Sequence, residues 1–172
     1  MKAFLVGGWL LFGLFLAGCG YHSPGAGDQW AGAEGRILYV ELFANRTSEP
    51  YLDTVLTDEI SALMARSRLV ELTAQRNRAE LILTGAITSF SSSALGYNPE
   101  DRISDYQAQM TATAQLVRRS DNAVLWQGTL SRSETFSSRE DKGLQRVGES
   151  FAARVAARRL AEDLMARLHD DF

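Results

Sequence analysis

Thiols and imidazoles are almost missing from this chain. Its 172 residues include one cysteine, Cys19, and two histidines, His22 and His169, which lie near opposite ends. A lone thiol can form neither an intrachain disulfide nor a thiolate metal set. Histidines so far apart exclude the helical HxxH and HExxH zinc patterns. Nucleophilic catalysis of the Ser/His/Asp or Cys/His kind lacks its base, because neither histidine falls in the body of the domain expected below. Proline is scarce at three residues, and no Gly-rich loop ends in Lys and Ser/Thr to cradle a phosphate. Nor is positive charge in excess. A formal net charge of −3 and a pI of about 5.4 do not suit a coat on nucleic acid, which needs clustered Lys and Arg. The carboxylates Asp53, Asp58 and Glu59 remain, but they lie on an expected helix whose N-terminal dipole they complement. A non-enzymatic protein without metal, cofactor or nucleic-acid partner is therefore expected.

What is present is ordinary for one globular domain: 45% apolar and 23% charged residues, with enough length for a core. Met1 to Gly18 carries one cation, Lys2, and then an unbroken run of apolar residues and glycine from Ala3 to Ala17. A spanning helix needs about 20 predominantly apolar residues, and this run is shorter and broken by Gly7, Gly8 and Gly13. It reads as a signal peptide over 1–18; the other reading is a short membrane anchor that is never cut. The segment 19–35, rich in Gly, Ala, Ser and Pro without hydrophobic period, reads as a flexible tether. A single domain is expected over 36–172.

Leu16-Ala17-Gly18-Cys19 resembles the bacterial lipobox. The resemblance implies a diacylglycerol on the Cys19 thioether, cleavage before Cys19, and an acyl chain on the new amine. Those lipids are the only attached groups expected. Gly20 stands where an Asp in such lipoproteins signals retention at the inner membrane, so the same resemblance favours the outer membrane.

Within the domain, Arg36 to Phe43 reads as an interior strand, with Ile37, Tyr39 and Phe43 on one face and Leu38, Val40 and Leu42 on the other. A polar turn follows, in which Thr47 or Ser48 is expected to cap a helix with Pro50 in its first turn. Leu52, Val55, Leu56, Ile60, Leu63 and Met64 recur at helical spacing and form its core face. Leu69 to Thr73 is a short strand, Gln75 to Arg78 a loop, and Ala79 to Phe90 a longer strand. The Ser-rich stretch Ser89 to Asp105, with Gly96 and Pro99, reads as a long connection of the functional or mobile kind. From Tyr106 to Leu116, apolar residues alternate strictly with Gln and Thr, giving a strand with one buried and one wet face. Arg118 to Asn122 turns the chain, and Val124 to Phe136 returns as the hairpin partner. Its distal part, Ser131 to Glu140, turns polar and is expected to outrun the core. Leu144, Val147, Phe151, Val155, Leu160, Leu164 and Leu168 run through an Ala-rich second helix. These elements make an α+β two-layer sandwich, with two helices against a mostly antiparallel or mixed sheet of four to five strands. Arg118 and Arg119 at the hairpin turn, Arg132 on the return strand and Arg102 in the long connection are the candidate grips for an anionic lipid head group.

Cys19-Gly20-Tyr21-His22, then Val40-Glu41-Leu42-Phe43-Ala44-Asn45-Arg46-Thr47-Ser48-Glu49-Pro50, then Ala79-Glu80-Leu81 together resemble the LptE family of LPS-assembly lipoproteins. That resemblance implies two helices on one face of a sheet and a lipid-anchored protein on the periplasmic face of the outer membrane. It further implies a plug inside the LptD β-barrel that assists barrel assembly and contacts lipopolysaccharide. No residue-level binding site carries over. Other periplasmic lipoproteins that begin similarly give the alternative: a curli-type secretion subunit or an activator of a peptidoglycan synthase.

Overall fold

A computed structural model describes residues 36–170 apart from 68, 98 and 101. The expected signal peptide 1–18, Cys19, the tether 19–35 and residues 171 and 172 lie outside the described residues. The elements are β1 (Arg36–Val40), β2 (Ala44–Asn45), α1 (Leu52–Ser67), β3 (Val70–Leu72), a 3-10 turn at Arg76–Arg78, β4 (Leu81–Tyr97), β5 (Ile103–Arg118), β6 (Val124–Ser137) and α2 (Lys142–Asp170). One six-stranded sheet has the order β3-β1-β4-β5-β6, with β2 also on β4. Pairing is parallel among β1, β2, β3 and β4 and antiparallel from β4 to β6. The α+β sandwich is as expected, with six strands in place of four to five.

The first strand departs from its sequence reading. Regular pairing stops at Val40, opposite Leu83, and resumes at Ala44, opposite Ala86. Four residue steps on one strand thus span three on the other, which is a bulge. The added residue reverses side-chain parity, so Phe43 points to the same core as Leu38 and each is 1% exposed. Leu42 is left facing solvent. The N–H that the bulge removes from the ladder is satisfied: Phe43 N–H donates to Thr57 Oγ1 at 3.0 Å, and that hydroxyl donates to the Asp53 carbonyl. Phe43 sits against Gly85, the one position in this part of β4 without a side chain to block it.

The turn into α1 is built differently from the expected cap. Asn45 Oδ1 accepts from the N–H and hydroxyl of Thr47, and Asn45 Nδ2 donates to the Glu49 carbonyl. Thr47 Oγ1 accepts from the Glu49 N–H, so that hydroxyl closes the turn and not the helix. From Leu52 the helix runs as read, burying Leu52, Leu56, Ile60 and Met64, with Val55 and Leu63 at the margin.

In α2 the core face is built largely of alanine. Ala152, Ala153, Ala156, Ala157 and Ala161 are buried with Leu160, Leu164 and Leu168, and small side chains let the helix lie close to both sheet and α1. Leu144, Val147 and Phe151, which the sequence reading counted in the same apolar run, face solvent. Three ion pairs fix the helix laterally: Arg158 with Glu59 of α1, and Asp163 and Arg159 with Arg132 and Glu134 of β6.

The largest difference concerns Ser89 to Asp105. It is not a long connection: β4 continues to Tyr97 and β5 begins at Ile103, with Ser91, Ser92 and Ser93 opposite Gln109, Ala108 and Gln107. Serine is a poor strand former on average, but cross-strand pairing decides the outcome here. The distal end of β6 does not outrun all cover. Phe136 is packed with Ala108 and with Ala152 of α2, and stacks on Tyr106 at a centroid distance of 5.5 Å. At the other end of the hairpin, Asn122 takes φ 57°, a left-handed conformation that β-branched residues avoid. Asn122→Val should therefore cost about 1–2 kcal/mol and Asn122→Gly little, as read by paired thermal melts.

Candidate functional site

Because the hairpin strands alternate strictly, one face of the sheet goes to the helices and the other is left open by the described residues. On the open face, β5 and β6 place Gln107 opposite Thr135, Gln109 opposite Ser133, Thr111 opposite Ser131, Thr113 opposite Thr129 and Gln115 opposite Gln127. Every one of these cross-strand pairs is polar and uncharged. β4 extends the surface with Thr84, Ser89, Ser91 and Ser93 opposite Gln115, Thr111, Gln109 and Gln107. Side chains within it bond to one another: Gln109 Nε2 donates to Ser131 Oγ at 3.3 Å, and the Thr111 and Ser131 hydroxyls lie 3.1 Å apart. Near the β2 end a groove of about 510 Å³ is lined by Thr84, Thr113, Gln115, Gln127 and Thr129, with Arg46 as its charged lining residue. Such a surface can be wetted or can hydrogen-bond a polar wall, but it offers no acid, base or nucleophile in a catalytic setting.

The candidate arginines do not form one cluster. Arg118 and Arg119 stand together at the β5–β6 turn, while Arg102 lies just before the other end of β5. Sixteen strand residues separate these ends, about 50 Å. Arg102 is paired with Glu140 at 3.3 Å in an exposed contact. Arg132 falls on the helix side of β6 and is held by Asp163. Arg118 pairs with Asp121 at 3.1 Å, and Arg119 donates from Nε to the Ala79 carbonyl. The Ala123 N–H on Asp121, assisted by the Arg118 guanidinium, holds the Asp121 carboxyl below its usual range. Of the acids singled out in the sequence, Glu59 serves the α1–α2 ion pair and the Asp53 backbone serves the Thr57 bond. Among the described residues no group of three or more His, Cys, Asp or Glu could hold a metal, and no helix is long and apolar enough to cross a membrane.

Two features escaped the sequence reading. One is the bare length of β4 beyond Ile87; the other is the exposed stripe Leu144, Val147 and Phe151. The seven-residue step from Leu144 to Phe151 to Arg158 carried a signal, because it leads from apolar residues onto a cation and not onto another core residue.

A family model described as LptE, lipopolysaccharide-assembly, matches residues 36–168. No curated protein sequence matches the chain. Among solved structures, a protein of Xanthomonas campestris has 15% identity and a TM-score of 0.59, with 80% of this chain and 85% of that one covered. A Chlamydia trachomatis protein has 15% identity and a TM-score of 0.56, covering 78% and 95%. A minor lipoprotein of Acinetobacter baumannii has 13% identity and a TM-score of 0.52, covering 77% and 89%. At these identities the likeness is one of fold.

Proposed function

The chain belongs to the LptE family of lipopolysaccharide-assembly proteins, and from that membership we propose that it is an outer-membrane lipoprotein that plugs the LptD β-barrel and assists its assembly. Family membership supports a lipoprotein that works without catalysis or a cofactor and is placed at the outer membrane. In the full reading, residues 1–18 are removed, Cys19 carries the lipid, and 19–35 lets the domain reorient beneath the barrel mouth.

The observation that carries the reading is the open face of uncharged polar cross-strand pairs. An antiparallel sheet that packs one face on its core turns polar residues to the other. Here Gln, Thr and Ser occupy that face from Gln107 to Gln115 and from Gln127 to Thr135, with the charged Asp105 and Arg46 at its margins, which suits a water-filled barrel lumen lined with polar side chains. Hydrogen bonds can form to such a wall without desolvating an ion. The test is purification of the tagged full chain from Gram-negative outer membranes: a β-barrel of the LptD type should accompany it, and its absence would overturn the reading.

Lipopolysaccharide contact is assigned to Arg118 and Arg119. They are adjacent, stand at a turn, and among the described residues their side chains engage an exposed carboxylate and a backbone carbonyl. Exposed ion pairs contribute little, so a lipid phosphate can displace Asp121 and gain bidentate bonds. Arg118→Ala with Arg119→Ala should weaken lipopolysaccharide binding about tenfold, or about 1.4 kcal/mol, with unchanged circular dichroism. Unaltered binding in a direct titration would discard this assignment.

A further inference from the structure

Among the described residues, the distal half of β4 is an unprotected sheet edge. Leu81 to Leu83 pair with β1 and Ala86 and Ile87 with β2, but from Thr88 to Tyr97 the described residues supply a partner on the β5 side only. Ten residues of strand, about 33 Å, thus present backbone N–H and C=O groups to the outside. Natural sheets blunt such edges with charge, proline or short length. The sequence Thr-Ser-Phe-Ser-Ser-Ser-Ala-Leu-Gly-Tyr has none of these, and only register shifts near Ser89 and Gly96 interrupt it.

The two sides of this edge differ in chemistry. Met110 of the core opposes Phe90, which places Phe90, Ser92 and Ala94 on the helix side of β4. Above that side, α2 continues beyond the start of α1. Leu144, Phe151, Arg158 and Met165 lie seven residues apart along one line of α2. Met165 packs on the core and Arg158 bridges to Glu59 of α1, whereas Phe151 and Leu144 have no covering helix among the described residues and are 68% and 59% exposed. Val147 joins them at 65%. The helix layer therefore stops short over distal β4 and leaves an apolar wall. On the opposite side, Ser91 and Ser93 continue the uncharged polar face.

We infer that Thr88–Tyr97 takes up, by backbone pairing, one extended segment that the barrel partner projects into its lumen, since a strand of the closed wall has no free edge to offer; the added segment turns alternate residues to Leu144, Val147 and Phe151 and to the Ser/Thr/Gln face. An incoming strand has period two, so its sequence must alternate apolar with uncharged polar residues. Strand addition of this type draws affinity from main-chain bonds and specificity from alternate side chains. The inference rests on the barrel-plug reading, and the test separates the two.

Backbone hydrogen exchange is measured on the full lipoprotein alone and in its purified complex with the barrel. Peptides over 88–97 should exchange at least about tenfold more slowly in the complex, and Ser91→Cys and Ser93→Cys should each crosslink to barrel residues two apart. A complex that forms with unchanged exchange over 88–97 overturns strand addition and leaves the plug reading intact. Failure of any barrel to co-purify overturns the plug reading, and strand addition with it. Protection already present in the free chain, with a dimer in sedimentation, assigns the edge to a second copy and overturns the inference as well.

Discussion

Gly85→Ala should be the most destabilising small substitution in the domain, lowering stability by about 3 kcal/mol or more. A Cβ at this position falls inside contact distance of both the Phe43 ring and the backbone carbonyl of Thr113. The ring could move, but Phe43 is held by its N–H bond to Thr57 and by the parity reversal at the bulge. The Thr113 carbonyl belongs to the β4–β5 ladder and cannot move without opening it. For a domain of this size the loss corresponds to a fall in melting temperature of roughly 10 °C. Phe43→Ala alone should cost about 3–5 kcal/mol through the cavity it leaves. Combined with Gly85→Ala it should cost less than the sum, because one of the two clashes is gone. Additive costs in denaturant melts would show that ring and glycine do not share one space.

Cys19→Ala, with a conventional cleavable leader in place of 1–18, should move the protein from the membrane to the soluble periplasmic fraction while leaving the domain folded. Each buried CH₂ of an acyl chain contributes about 0.8 kcal/mol, and stable anchoring takes more than one chain. In the proposed reading, removing the thiol removes the diacylglycerol and with it the acyl chain that lipoprotein processing adds to the new amine. The domain should stay folded, since among the described residues its core spans residues 38–168 without the anchor. The released protein should still bind its barrel, because the polar face and the β4 edge are unchanged. Flotation with circular dichroism reads the first two outcomes, and loss of the folded signal would contradict the separation of anchor from domain.

How far the sequence showed this architecture depended on how strictly each segment kept its period. β5 alternates without a break from Tyr106 to Leu116, and its buried and wet faces are those the alternation requires. The α1 stripe was equally plain. Phe43 was misassigned because a bulge is a long-range event: one added residue between Val40 and Ala44 is visible only when β4 is alongside. Ser89 to Asp105 was read as a connection because serine and glycine favour turns locally, whereas here β5 supplies the pairing that overrides them. In α2, the large apolar residues carry the visible periodicity, whereas alanine, short and common in any helix, carries little. The helix buries five of its six alanines and exposes Leu144, Val147 and Phe151, since α1 is too short to cover them. The candidate arginines were legible as residues but not as a site; distance along β5 divides them, and Asp163 and Glu140 engage Arg132 and Arg102.

That one copy of this domain occupies one barrel is tested most directly by the native mass of the complex, purified from outer membranes through a tag on this chain. A mass equal to one lipoprotein plus one LptD-type barrel is the expected result. A ring of several copies without a barrel, or a peptidoglycan synthase in the barrel's place, would contradict it.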